Sequence, residues 1–95
     1  MSNNSANKQS NQQDTLMLYH FVGCPFCSIA TAAINRLGLN VELRDTMKNP
    51  QYRDELVKQL GRGTVPVLRI IAQDGSETWM PESRDIERYL EQTYG

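Results

Sequence analysis

Ninety-five residues make one small domain, near the lower limit for a chain that folds without disulfides or metals. Ten Lys and Arg against eleven Asp and Glu leave a net charge of −1, with the two signs mixed along the chain, which argues against nucleic acid as a partner. No apolar stretch is long enough to cross a membrane and no secretory signal opens the chain. The expected compartment is therefore the cytoplasm, where thiols stay reduced and a structural disulfide is disfavoured.

The opening stretch "MSNNSANKQSNQQD" (1–14) is almost wholly Ser, Asn, Gln, Lys and Asp and cannot bury enough apolar surface to offset ordering, so it reads as a disordered polar tail. The folded domain is expected over 15–95. "TLMLYHFV" (15–22), apolar and closed by Gly23, predicts a buried strand. A helix follows from Pro25, with Ile29, Ala30, Ala33, Ile34 and Leu37 on one face and Gly38 as its C-cap. "NVELRD" (40–45) alternates Val41 and Leu43 with polar neighbours and predicts a second strand.

"NPQYRDELVKQLG" (49–61) predicts a helix capped by Asn49, with Pro50 in its first position and Tyr52, Leu56, Val57 and Leu60 as its apolar stripe. "VPVLRIIA" (65–72) predicts a third strand with Pro66 at its start, where no ladder donor is required. The turn "QDGS" (73–76) leads back into a short fourth strand, "ETWM". "PESRDIERYLEQTYG" predicts a last helix, capped by Ser83, with Ile86, Tyr89 and Leu90 inward. The order β-α-β-α-β-β-α, with a parallel first βαβ unit and an antiparallel final hairpin, predicts an α/β fold: a four-stranded mixed sheet with helices on both faces.

The chain has two cysteines, Cys24 and Cys27, three positions apart in "VGCPFCSIA". Cys24 falls at the junction of the first strand and helix, and Cys27 one turn further on the same side. A helix amino end carries unpaired N–H groups and about half a positive charge, which favours a thiolate. A C-x-x-C setting lowers a thiol from ~8.5 by ~1.5 units or more, raising its reactive fraction more than tenfold. Cys24 is then the candidate nucleophile, and the shielded Cys27 the thiol that resolves a mixed disulfide. Zinc would require four ligands, and the chain adds only His20, which reads as a packed or edge residue of the first strand, so no metal is expected. An inert pair of core cysteines is the remaining alternative, and Pro25 and the junction placement count against it.

With "CPFC" after a strand, "GTVPVL" (63–68) before another and "ESRDIERYL" (82–90) as the last helix, the chain resembles the glutaredoxin family. Its pattern is most similar to the glutaredoxin-like amino-terminal domain of glutathione transferases, over roughly residues 15 to 94. The resemblance implies a thioredoxin-like fold and glutathione as co-substrate. Cys24 would attack a glutathione mixed disulfide and Cys27 would resolve dithiol reactions. Pro66 matches the family's cis-proline, which exposes the backbone N–H and C=O of Val65 to an extended peptide thiol. Glu82 and Ser83 match the pair that holds the γ-glutamyl end, Glu82 taking the ammonium and Ser83 the carboxylate. Arg53 and Arg62 are candidates for the glycine carboxylate, against the plainer reading of solvated charges. Phe26, with Trp79 and Met80, is a candidate apolar rim beside the thiol, although Trp79 also reads as core.

Two departures from the family pattern bear on chemistry. Phe21 stands where many glutaredoxins carry Lys or Arg, which removes a cation from the thiolate. The sequence ends at Gly95 without the all-helical domain that supplies the electrophile pocket in transferases, so disulfide exchange is expected rather than transferase activity proper. The expected partners are glutathione and disulfide-containing or glutathionylated proteins. The alternatives are a glutathione or iron–sulfur binding module and a disulfide reductase coupled to thioredoxin reductase.

Overall fold

A computed structural model describes residues 14–95, so all of the expected polar tail except Asp14 lies outside the described residues. The elements run β1 (Thr15–His20), α1 (Pro25–Leu37), β2 (Glu42–Asp45), α2 (Pro50–Leu60), β3 (Val67–Ile71), β4 (Glu77–Met80) and α3 (Ser83–Tyr94). They form the thioredoxin-like β-α-β-α-β-β-α fold. The sheet order is β2-β1-β3-β4, with β1 and β2 parallel and the other two pairs antiparallel.

Period-two alternation along the central strand β1 divides the interior into two cores. Leu16 and Leu18 join Leu68 and Ile70 of β3 beneath α1 (Ala30, Ala33, Ile34) and α3 (Ile86, Leu90). Met17 and Tyr19 turn to the other face and meet Val67 and Leu56. Each fully buried side chain of this kind contributes roughly 1.5–3 kcal/mol. The second core is the thinner one. α2 covers it alone, and Leu56 is that helix's single buried residue.

Polar chemistry compensates for the thin cover. The Tyr19 hydroxyl donates to Glu55 Oε1 at 2.6 Å, and Arg44 Nη1 donates to both the Tyr19 oxygen and Glu55 Oε1 at 2.9 Å. The Arg44 guanidinium also lies 5.5 and 5.2 Å from the ring centres of Tyr19 and Tyr52. Residues from β1, β2 and α2 are thereby joined in one satisfied network.

The helix ends follow local chemistry. Pro25 occupies the first turn of α1, and Gly38 ends it in the left-handed region (φ 64°). The Asn49 side chain caps α2 by accepting the Gln51 N–H at 3.1 Å. Several details differ from expectation, β3 among them, which spans Val67–Ile71 rather than 65–72. β1 stops at His20 because the chain turns at Gly23 (φ 94°), which leaves Val22 exposed. β2 starts at Glu42, and Leu43 is half exposed because β2 is an edge strand. Val57 of α2 is exposed rather than in the stripe. Ser83 is the first residue of α3 rather than its cap; Glu82 holds the cap position and makes no side-chain cap hydrogen bond.

Candidate functional site

The strand registers bring the predicted site residues to one end of the sheet. β1 runs towards Cys24, and β2, parallel to it, ends at the same side in Asp45. β3 is antiparallel, with Tyr19 opposite Val67, so the Val65–Pro66 segment that precedes it lies at this end too. β4 returns here with Met80 opposite Leu68, delivering Glu82 and Ser83. Cys24, Cys27, Val65, Pro66, Glu82 and Ser83 thus come to this end of the sheet from three separate segments.

Cys24 is the N-cap residue of α1, in extended backbone conformation. Its Sγ accepts the Cys27 N–H at 3.3 Å, the bond that a Ser or Asp oxygen makes at an ordinary N-cap. The sulfur therefore sits on the helix's unpaired amides and at the positive end of its dipole. Both cysteines are unbridged thiols. Cys24 is 8 % exposed and Cys27 2 %. Burial, reinforced by a hydrogen bond to Cys24, pushes the Cys27 thiol up to about 12, which keeps it protonated at neutral pH.

The Val65–Pro66 peptide bond is cis. Pro66 is buried, and Val65 and Ser83 are half-buried. Glu82 and Arg53 are exposed. Arg53 lies against the backbone of this loop: a Cβ placed on Gly63 would fall 2.8 Å from Arg53 Nε. That contact brings the guanidinium of α2 to the segment leading into Pro66. Arg62 is exposed.

Of the expected apolar rim, Phe26 is 64 % exposed in the first turn of α1. Trp79 and Met80 are not part of it. Trp79 stacks on Tyr19 with ring centres 5.5 Å apart and packs into the second core, and Met80 packs against the first. Val22 and Met47, each 75 % exposed, take their places at this end of the sheet. Sequence reasoning also passed over Asp45, whose position opposite His20 emerges only from the β1–β2 register. Among the described residues no cluster of three or more His, Cys, Asp or Glu side chains is arranged to hold a metal ion.

Comparison with known proteins agrees with this geometry. Solved structures superpose over most of the described chain. Glutaredoxin 2 from Salmonella typhimurium, solved in complex with glutathione, matches 87 % of this chain with a TM-score of 0.69 and 26 % identity. An epsilon-class glutathione S-transferase from the housefly Musca domestica matches 85 % with a TM-score of 0.65 and 26 % identity. A glutathione transferase homolog from Drosophila mojavensis, with bound glutathione, matches 87 % with a TM-score of 0.70 and 24 % identity, which speaks to the fold alone. This chain spans only 35 %, 36 % and 36 % of those chains, respectively. No curated protein sequence is a significant match. The model of the glutathione S-transferase N-terminal domain matches residues 18–95, nearly the whole described chain, and the chain belongs to that family.

Proposed function

We propose that this domain is a glutathione-dependent thiol–disulfide oxidoreductase. The observation that carries the reading is the unequal pair of thiols at one helix end. Cys24 caps the helix with its sulfur on an amide, and Cys27 lies behind it, buried and protonated. A transferase that activates glutathione's own thiol has no use for the second cysteine. Disulfide exchange uses both, one as attacking thiolate and one as resolving thiol.

In this mechanism Cys24 attacks a protein–glutathione or other disulfide, forming a mixed disulfide on Cys24 and expelling the first thiol. Glutathione or Cys27 then attacks Cys24 Sγ and frees the enzyme. Two related structures hold glutathione, which supports it as the co-substrate here. Its cysteinyl backbone would pair with Val65 beside Pro66, its γ-glutamyl end would meet Glu82 and Ser83, and its glycine carboxylate would meet Arg53. Phe26, exposed next to Cys24, would flank the tripeptide.

The test is reduction of hydroxyethyl disulfide by glutathione, coupled to glutathione reductase. The wild-type chain turns over, and Cys24→Ser abolishes turnover. Activity that persists in Cys24→Ser ends the assignment. Conjugation of glutathione to an electrophile by Cys24→Ser would point instead to transferase chemistry.

A further inference from the structure

Among the described residues, Arg36, Arg44, Arg69, Arg84 and Arg88 each pair with a carboxylate, and Arg53 is in none of those pairs. Its side chain lies instead against Gly63. A Cβ placed on Gly63 would fall 2.8 Å from Arg53 Nε, 2.9 Å from Cγ and 3.2 Å from Cζ. Three atoms along one side chain at nearly equal distance describe a stem laid across the glycine, closer than a methyl group permits.

Gly61 and Gly63 serve different needs. Gly61 ends α2 in the left-handed region (φ 81°), with open space where its side chain would be, so backbone conformation requires it. Gly63 lies outside that region. What its missing side chain provides is room, and the three atoms nearest to a Cβ there all belong to the Arg53 side chain. The segment is held at both ends. The Gly61 N–H donates to the Val57 carbonyl at 2.8 Å, and beyond the buried Pro66 the chain enters β3, where Val67 pairs with Tyr19. Gly63 stands two residues before Val65, whose backbone the proposed mechanism offers to glutathione.

We propose that Gly63 is a positioning residue for Arg53: offering no side chain, it seats the guanidinium beside Val65 and so sets the preference of the site for a thiol peptide with a carboxylate on the residue after its cysteine. The inference rests on the proposed function, in which the glycine carboxylate of glutathione meets Arg53. A free arginine spreads over many rotamers and must be ordered when its ligand binds, whereas one already laid against a backbone has part of that ordering done. The planar fork of a guanidinium rewards such placement more than a point charge does. A methyl at position 63 meets the end of a long, exposed side chain rather than backbone, so the fold accommodates it and Arg53 moves. The loss then falls on the ligand and not on stability.

The test mixes the reduced full-length chain with three reagents in parallel, quenches in acid at intervals and weighs the products. The reagents are glutathione disulfide, the disulfide of glutathione esterified at its glycine carboxylate, and hydroxyethyl disulfide. In each case the Cys24 thiolate attacks one sulfur of the reagent. The new bond to Cys24 forms as the reagent's S–S bond breaks, and its electron pair leaves on the released thiolate. The wild type reacts about tenfold faster with glutathione disulfide than with the ester. In Gly63→Ala the rate with glutathione disulfide falls about tenfold, the rates with the other two reagents stay within twofold, and the melting temperature is unchanged. Added to Arg53→Gln, the same methyl has no further effect, because the side chain it displaces carries no charge.

A wild type that does not distinguish acid from ester overturns the inference, and so does a Gly63→Ala chain that keeps the tenfold preference. Equal slowing with all three reagents, or further slowing on the Arg53→Gln background, also overturns it, because the methyl then acts on the loop itself. If Gly63→Ala fails to fold by circular dichroism, Gly63→Ala/Arg53→Ala decides. Recovery of the fold without the preference supports the inference, and any other result overturns it. Each of these outcomes leaves the proposed function standing. A wild-type Cys24 that forms no mixed disulfide with any of the reagents overturns both.

Discussion

Cys27 should react far more slowly with an alkylating agent in the folded chain than in the unfolded one, and the size of the difference follows from its burial. A thiol near ~8.5 is about 3 % ionised at pH 7, whereas one at about 12 is ionised about 3,000-fold less. The more basic thiolate is intrinsically the better nucleophile. With a Brønsted slope of about 0.4–0.5, that recovers roughly 30-fold. Ionisation wins, and iodoacetamide should modify Cys27 about 100-fold more slowly in the folded chain than in urea. Its 2 % exposure adds to that protection.

The assay is timed alkylation with peptide mapping by mass, in buffer and in denaturant. Folded and unfolded rates for Cys27 within threefold of each other would refute the reasoning. The same shift sets a pH dependence of stability. Folding raises the affinity of Cys27 for its proton, so the contribution is complete below the ordinary thiol value and is lost as pH rises through about 12.

Other substitutions test the scaffold and the ligand contacts. Leu56→Ala removes the single buried anchor of α2 and should cost about 2–5 kcal/mol in urea denaturation, while Val57→Ala next to it should stay within about 0.5 kcal/mol. Asn49→Ala deletes the cap on Gln51 N–H and should cost about 1 kcal/mol by the same measurement. Arg53→Gln, at a guanidinium lying against the Gly63 backbone, should weaken glutathione binding about tenfold by calorimetry without lowering the melting temperature.

Much of this architecture was legible where local chemistry decides the outcome. Pro25 and Gly38 bracket α1, and Asn49, Pro50 and Gly61 bracket α2, because caps act through the nearest few amides. Asp74 and Gly75 likewise make the β3–β4 turn: the Asp74 carboxylate accepts the Ser76 N–H at 2.9 Å, and Gly75 adopts φ 92°. What stayed hidden depends on strand order and long-range contact. Leu43 has the alternation of an inward residue and is exposed only because β2 has no neighbour on its outer side. Tyr19 reads as one more apolar strand residue, yet its hydroxyl meets Glu55, 36 positions away. Trp79 looked available for a rim until the register placed it over Tyr19.

The candidate site divides in the same way. The spacing of Cys24 and Cys27 and the Pro66 and Glu82–Ser83 motifs stand out in the sequence itself. Asp45 has no motif at all. Its place opposite His20 exists only because β2 runs parallel to β1 and ends at the same edge of the sheet.

The most direct measurement traps the covalent step. Cys27→Ser, which lacks a resolving thiol, is incubated with glutathione disulfide, digested without reductant and mapped by mass. One glutathione on the peptide containing Cys24, released again by added glutathione, is the predicted result. A Cys24 that stays unmodified while the same reagent derivatises the unfolded chain would contradict the account.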